Sequence, residues 1–148
     1  MQRITGAPRP NWRAEVEQIG FSYHTIDDEL YWDESGWFEF NYDQIRVIEQ
    51  ATNVLHAMCI EAAECVIEED RLSDFGIPSQ FHYWIKQSWE ADEPTLFGRF
   101  DLAWDGTGPP KMLEYNADTP TSLFEASVVQ WHWLESLQNS GAAIAQYD

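Results

Sequence analysis

An α+β fold is predicted for this chain: an antiparallel hairpin packed against a long amphipathic helix and a second, C-terminal helix. Three observations predict it. Residues 43–70 repeat apolar side chains at helical spacing. Residues 97–116 alternate polar and apolar side chains on both sides of an Asp-Gly-Thr-Gly-Pro-Pro turn. Residues 122–138 form a second helical pattern behind a polar loop.

The chain has 148 residues, room for one domain with a sizeable core. Its 8 Trp, 6 Tyr and 8 Phe mark it as globular despite its polarity. With 26 Asp+Glu against 8 Lys+Arg the formal charge is −18, which argues against a nucleic-acid surface, because phosphate binding needs clustered cations. Cys59 and Cys65 sit six positions apart on the long helix, about 9 Å along its axis and on different faces, so no disulfide joins them. The N-terminal residues carry no apolar run of signal-peptide type, and no stretch reaches the roughly 18 apolar residues of a membrane span. A cytoplasmic protein with reduced thiols and no membrane partner is expected.

In chain order, residues 1–11 with Pro8 and Pro10 read as an extended arm. Trp12, Val16 and Ile19 predict a short amphipathic helix ended by Gly20. The aromatic and acidic run 21–40 is irregular, with a strand suggested over Trp37–Phe40, where Phe38 and Phe40 alternate with Trp37 and Glu39. It is either a stacking platform for sugars or bases, or, more plainly, aromatic cover for the core. In the long helix Ile45, Ile48, Ala51, Leu55, Met58, Ala62, Cys65 and Val66 form the apolar stripe. Its cap is either Asn41 or Asp43. His56, without a second ligand at metal spacing, is read as a packed or surface histidine. Gly76 and Pro78 break a loop, and residues 79–92 form a further helical segment with Trp84 and Trp89 as core anchors. Ser122 with Glu125 makes a capping box for the last helix, whose buried stripe is Leu123, Ala126, Val129, Gln130, Trp133 and Leu137 and whose end is Gly141. No internal repeat divides the chain.

The chemistry concentrates in the hairpin. If its register centres on the turn, Asp101 lies opposite Glu114, Arg99 opposite Asn116, and Phe100 opposite Tyr115. Opposed carboxylates repel, and a hard divalent cation with phosphate oxygens relieves that repulsion. Asp101, Glu114 and Asn116 offer the oxygen ligands that Mg²⁺ prefers, and Arg99 beside them suits a phosphoryl group. The plain alternative is the wet face of an ordinary hairpin. The chain has no glycine-rich phosphate loop with a lysine, no cysteine pair at zinc spacing and no Ser-His-Asp arrangement.

The blocks RFDLAWDGTG and EYNADTPTS, with PRPNWRAEVEQIGFSYHT and the QSW segment upstream, resemble the N-terminal, pre-ATP-grasp part of the glutathionylspermidine synthase family, acid–amine ligases of ATP-grasp type. The likeness is nearest to stand-alone acid–amine ligases without an amidase domain. It implies an ATP-dependent carbon–nitrogen ligase working through an acyl phosphate, with Mg²⁺, small-molecule carboxylate and amine substrates, and ATP as co-substrate. By the same resemblance Arg99, Phe100 and Asp101 contact the nucleotide phosphates, with Arg99 catalytic. Asp101, Glu114 and Asn116 hold the metal. Asp118, Thr119, Thr121 and Ser122 form the substrate loop, where threonines replace some expected serines. Family members are much longer, so residues 1–148 are expected to be a single truncated domain. The ATP-grasp half is then missing, supplied in cis or in trans, and the fragment is not fully active alone. A non-catalytic binding or regulatory module keeping the fold is the alternative, and a tryptophan-rich carbohydrate-binding domain a third reading.

Overall fold

The computed structural model describes residues 1–141. The architecture is α+β, with three two-stranded antiparallel sheets and, among the described residues, four α-helices. The chain divides into two compact units, residues 1–45 with 119–148, and residues 46–118. No helix among the described residues is long and apolar enough to cross a membrane.

The first unit begins with β1 (Gln2–Thr5), so the expected arm is a strand; it pairs with β4 (Gly36–Glu39) from Gln2–Glu39 to Thr5–Gly36. Between them runs α1 (Trp12–Gln18). Gly20 at φ 95° ends α1 as predicted: its N–H donates to Glu17 at 3.0 Å and that of Phe21 to Val16 at 2.9 Å. Part of the irregular run is a tight hairpin of β2 (Thr25–Ile26) and β3 (Glu29–Leu30). Asp27 and Asp28, at φ 50° and 66°, make its two-residue turn with the left-handed backbone that such hairpins need.

The core of this unit is Trp12, Val16, Phe21 and Val129, with Ile19, Trp32 and Phe124 packed against it. Beside it lies an ion pair. Arg9 donates through Nε to Glu34 Oε2 at 2.9 Å and through Nη2 to Oε1 at 2.6 Å, with Trp32 Nε1 on the same carboxylate at 3.2 Å. His24, also buried, contacts Thr25 Oγ1 at 2.9 Å and Glu17 Oε1 at 3.0 Å.

The last helix departs from its prediction. Ser122 adopts φ 75°, whereas an N-cap needs extended backbone, and the Glu125 carboxylate accepts from Tyr31 Oη at 2.7 Å; no capping box forms. A π-turn over Glu125–Val129 then precedes α4 (Gln130–Asn139). The wider turn advances the helix phase by one residue. Leu134 is therefore buried with Val129, while Leu123, Ala126 and Gln130 of the predicted stripe are exposed. Gly141 at φ 94° ends α4, donating to Gln138 at 2.9 Å.

Between the two segments of the first unit runs α2 (Tyr42–Glu68), all but its first turn in the second unit. Asn41, rather than Asp43, caps it. Gln44 N donates to Asn41 Oδ1 at 2.9 Å and Asn41 N to Gln44 Oε1 at 3.1 Å, a reciprocal box. No residue of α2 is buried. Ile45, Ile48, Ala51, Leu55 and Val66 of the predicted stripe are half-buried, but Met58, Ala62 and Cys65 are exposed. After a short turn at Leu72–Phe75, closed by Gly76 at φ 72°, comes α3 (Ser79–Glu90). Trp89 is half-buried there, whereas Trp84 is 62% exposed and anchors no core. Both cysteines are free thiols, Cys59 half-buried and Cys65 exposed.

Candidate functional site

The second unit ends in the hairpin of β5 (Arg99–Ala103) and β6 (Lys111–Asn116). Its turn is built by its own side chains. Asp105 Oδ1 accepts from Thr107 N and Oγ1, both at 2.9 Å, and Trp104 Nε1 donates to the carbonyls of Thr107 and Gly108 at 3.1 and 2.8 Å. Gly106 and Gly108 take φ 92° and 65°, values that only glycine adopts at little cost. Bonds from Thr107 hold the Asp105 carboxyl below its ordinary range.

The observed register is the predicted one: Arg99 opposite Asn116, Phe100 opposite Tyr115, and Asp101 opposite Glu114. Next to Asp101 a bulge interrupts it, so that Leu102 pairs with Met112. Directly opposed residues share a face. Arg99, Asp101, Glu114 and Asn116 therefore stand together on one side. Arg99 Nε donates to Asp101 Oδ1 at 3.1 Å. Glu114 is exposed, and its carboxylate has no hydrogen-bond partner among the described residues.

The donor set fits a hard cation in kind: two carboxylates and one amide, all oxygen, with the carboxylates opposed. Among the described residues no three His, Cys, Asp or Glu side chains gather around one point, so this set is smaller than a self-sufficient protein cage. Such a set suits a cation that shares its coordination with water and phosphate, as Mg²⁺ does.

On the apolar side, Phe100 and Tyr115 lie almost parallel with centroids 4.1 Å apart. With Leu102 they line a groove of about 840 Å³ whose other wall is Thr52, His56 and Cys59 of α2. The His56 ring stands nearly perpendicular to Tyr115, centroids 6.1 Å apart, and forms part of the wall of this groove. Nothing in the local sequence around His56 signals that role, since it requires α2 to lie beside a hairpin some forty residues further on.

The predicted substrate loop falls on both units. Asp118 is exposed at the end of the second, and Thr119, Thr121 and Ser122 open the later segment of the first. Ser122 is tied to Tyr31. The phenol of Tyr31 is raised above its ordinary range by its bond to Glu125, partly offset by the Ser122 hydroxyl.

Residues 3–148 match the glutathionylspermidine synthase pre-ATP-grasp family. The chain belongs to that family. Among curated relatives of this glutathionylspermidine synthase-type chain, a Haemophilus influenzae protein named "Putative acid–amine ligase" is 42% identical over 142 residues, 93% of this chain and 36% of its own length. A trypanothione synthetase of Crithidia fasciculata is 32% identical over 84% of this chain and 17% of its own. A bifunctional glutathionylspermidine synthetase/amidase of Escherichia coli is 34% identical over 58% of this chain and 14% of its own. The chain thus spans about a third or less of the length of these relatives, whose names are those of ligases.

Proposed function

We propose that these residues supply the cation- and phosphate-facing side of an ATP- and Mg²⁺-dependent acid–amine ligase. The observation that carries this reading is the opposition of Asp101 and Glu114, with Arg99 and Asn116 on the same face. In the proposed reaction a substrate carboxylate oxygen attacks the terminal phosphorus of ATP, and ADP leaves. The amine nitrogen then attacks the acyl carbon, and inorganic phosphate leaves as the amide forms.

The protein's part in such phosphoryl transfer is mainly positioning and charge stabilisation. Asp101, Glu114 and Asn116 are the residues that would hold Mg²⁺, which when bound offsets phosphate charge. Arg99 carries the catalytic role. Its guanidinium is oriented from behind by Asp101 and faces the charge that builds on the transferring group. Phe100 lies between Arg99 and Asp101 in the segment that follows the phosphates. Asp118, Thr119, Thr121 and Ser122 are proposed to contact the small-molecule acid or amine. On this reading the nucleotide-clamping ATP-grasp portion comes from sequence outside these residues, in the same polypeptide or in a second one.

Titration calorimetry of the chain with Mn²⁺ tests the site. Weak binding that disappears in Asp101→Ala/Glu114→Ala is expected. Binding unchanged in that double variant would refute the ligand assignment.

A further inference from the structure

The four polar residues share a face only in the register on the open side of the bulge. There the pairs are Arg99–Asn116, Phe100–Tyr115 and Asp101–Glu114, while toward the turn they become Leu102–Met112 and Ala103–Lys111. Leu113 is the extra residue. Were the turn-side pairing continued without a bulge, Phe100 would meet Glu114 and Asp101 would meet Leu113. Neighbouring residues on a strand point to opposite faces, so Glu114 and Asn116 would then turn to the apolar side. Electrostatics favours that slip, because it separates two opposed carboxylates.

Tyr115 opposes it. Its ring stacks on Phe100 at 4.1 Å with an interplanar angle of 14°, and the His56 ring stands nearly perpendicular to it with centroids 6.1 Å apart. It also lies so close over Gly98 that a Cβ there would come within 2.6 Å of the ring. The slipped register would place Tyr115 opposite Arg99 and break the stack. We propose that Tyr115, held by Phe100, His56 and Gly98, is a positioning residue that maintains the bulged register and with it the Asp101–Glu114–Asn116 cation site. This inference rests on the cation-site reading above, but the register itself can be measured without a metal.

Two measurements on the chain test it: Mn²⁺ affinity by calorimetry, and the cross-strand contact between residues 101 and 114 by NMR. Tyr115→Phe keeps the ring and should leave both within about twofold of the parent. Tyr115→Val should weaken Mn²⁺ binding about tenfold, the scale of one lost aromatic pair, and should lose the 101–114 contact. Deleting Leu113 from the Tyr115→Val variant makes the facing register the uninterrupted one, and should restore both. A folded Tyr115→Val variant with the parental contact and affinity would overturn the proposal, as would failure of the deletion to restore them. If the parent chain binds no Mn²⁺, the cation-site reading fails, and the 101–114 contact in Tyr115→Val still decides the role of Tyr115.

Discussion

Arg99 Nε donates to the Asp101 carboxylate at 3.1 Å, from two residues away on the same face of one strand. The side chains are 31% and 45% exposed, so solvent screening limits the pair to about 1 kcal/mol or less of stability. Its larger consequence is orientation, because the contact sets the plane of the guanidinium. In a complete ligase containing this segment, Arg99→Ala is expected to lower kcat by about 10²- to 10³-fold, the cost of removing one transition-state donor. Arg99→Lys should not restore it, since an ammonium lacks the planar fork. Steady-state turnover checks this, and a parental kcat in either variant would make Arg99 structural.

Asp101 and Glu114 stand directly opposite each other, and like charges so placed cost up to about 1 kcal/mol. Glu114→Gln should therefore leave the metal-free chain as stable as the parent or slightly more so, whereas in Asp101→Asn the loss of the Arg99 ion pair offsets the relief, within about 1 kcal/mol. Both should abolish the rise in Tm that millimolar Mn²⁺ produces in the parent. Scanning calorimetry with and without Mn²⁺ reads both effects, and a variant that keeps the metal-dependent shift would exclude that carboxylate as a ligand.

The Arg9–Glu34 pair belongs to a different class, because its side chains are only 7% and 1% exposed. Removing Glu34 leaves the buried Arg9 guanidinium with only the half-exposed Glu15 carboxylate, 2.9 Å from Nη1, so the cost falls toward the lower end of about 3–5 kcal/mol. Glu34→Ala should accordingly lower the denaturant midpoint of the first unit sharply, while a surface pair such as Lys86–Asp70 should tolerate Lys86→Ala with a change below about 1 kcal/mol. Equal losses in the two variants would contradict the difference in burial.

Bonds from Thr107 depress the Asp105 carboxyl below its ordinary 3.8 in the folded chain. A depressed carboxylate adds stability that is present above 3.8 and is lost as pH falls through the lower folded value. Asp105→Asn keeps the oxygen that Thr107 bonds but cannot titrate. Thermal melts between pH 6 and pH 2.5 should show the parent losing stability more steeply below 3.8 than this variant. Parallel curves would remove Asp105 from the acid response.

The hairpin register was legible from sequence because everything that sets it is local. The Asp-Gly-Thr-Gly-Pro-Pro turn makes its own bonds, and strict alternation on either side of it leaves one register that groups like faces. The bulge was not legible, since Met112 and Leu113 are both apolar and alternation alone does not say which of them faces Leu102. Helix ends were legible where glycine marked them, at Gly20 and Gly141. Asp70 and Asp92 do the same work for α2 and α3 at φ 56° and 49°, and there nothing in composition sets them apart from the many surface acids.

By itself the sequence determined the local elements: the hairpin with its polar quartet, the long helix starting at Asn41 or Asp43, and the family that the motifs carry. Tertiary structure alone decided which of those residues are buried. Trp84, a core anchor by composition, faces solvent, while Arg9 and Glu34, charged and twenty-five positions apart, share the interior. The π-turn at Glu125–Val129 likewise moved the buried stripe of the last helix onto Leu134. Hydrogen-bonded turns and strand alternation act between near neighbours, whereas burial depends on which distant segments arrive beside a residue, and a one-residue change of helix phase is enough to redirect it.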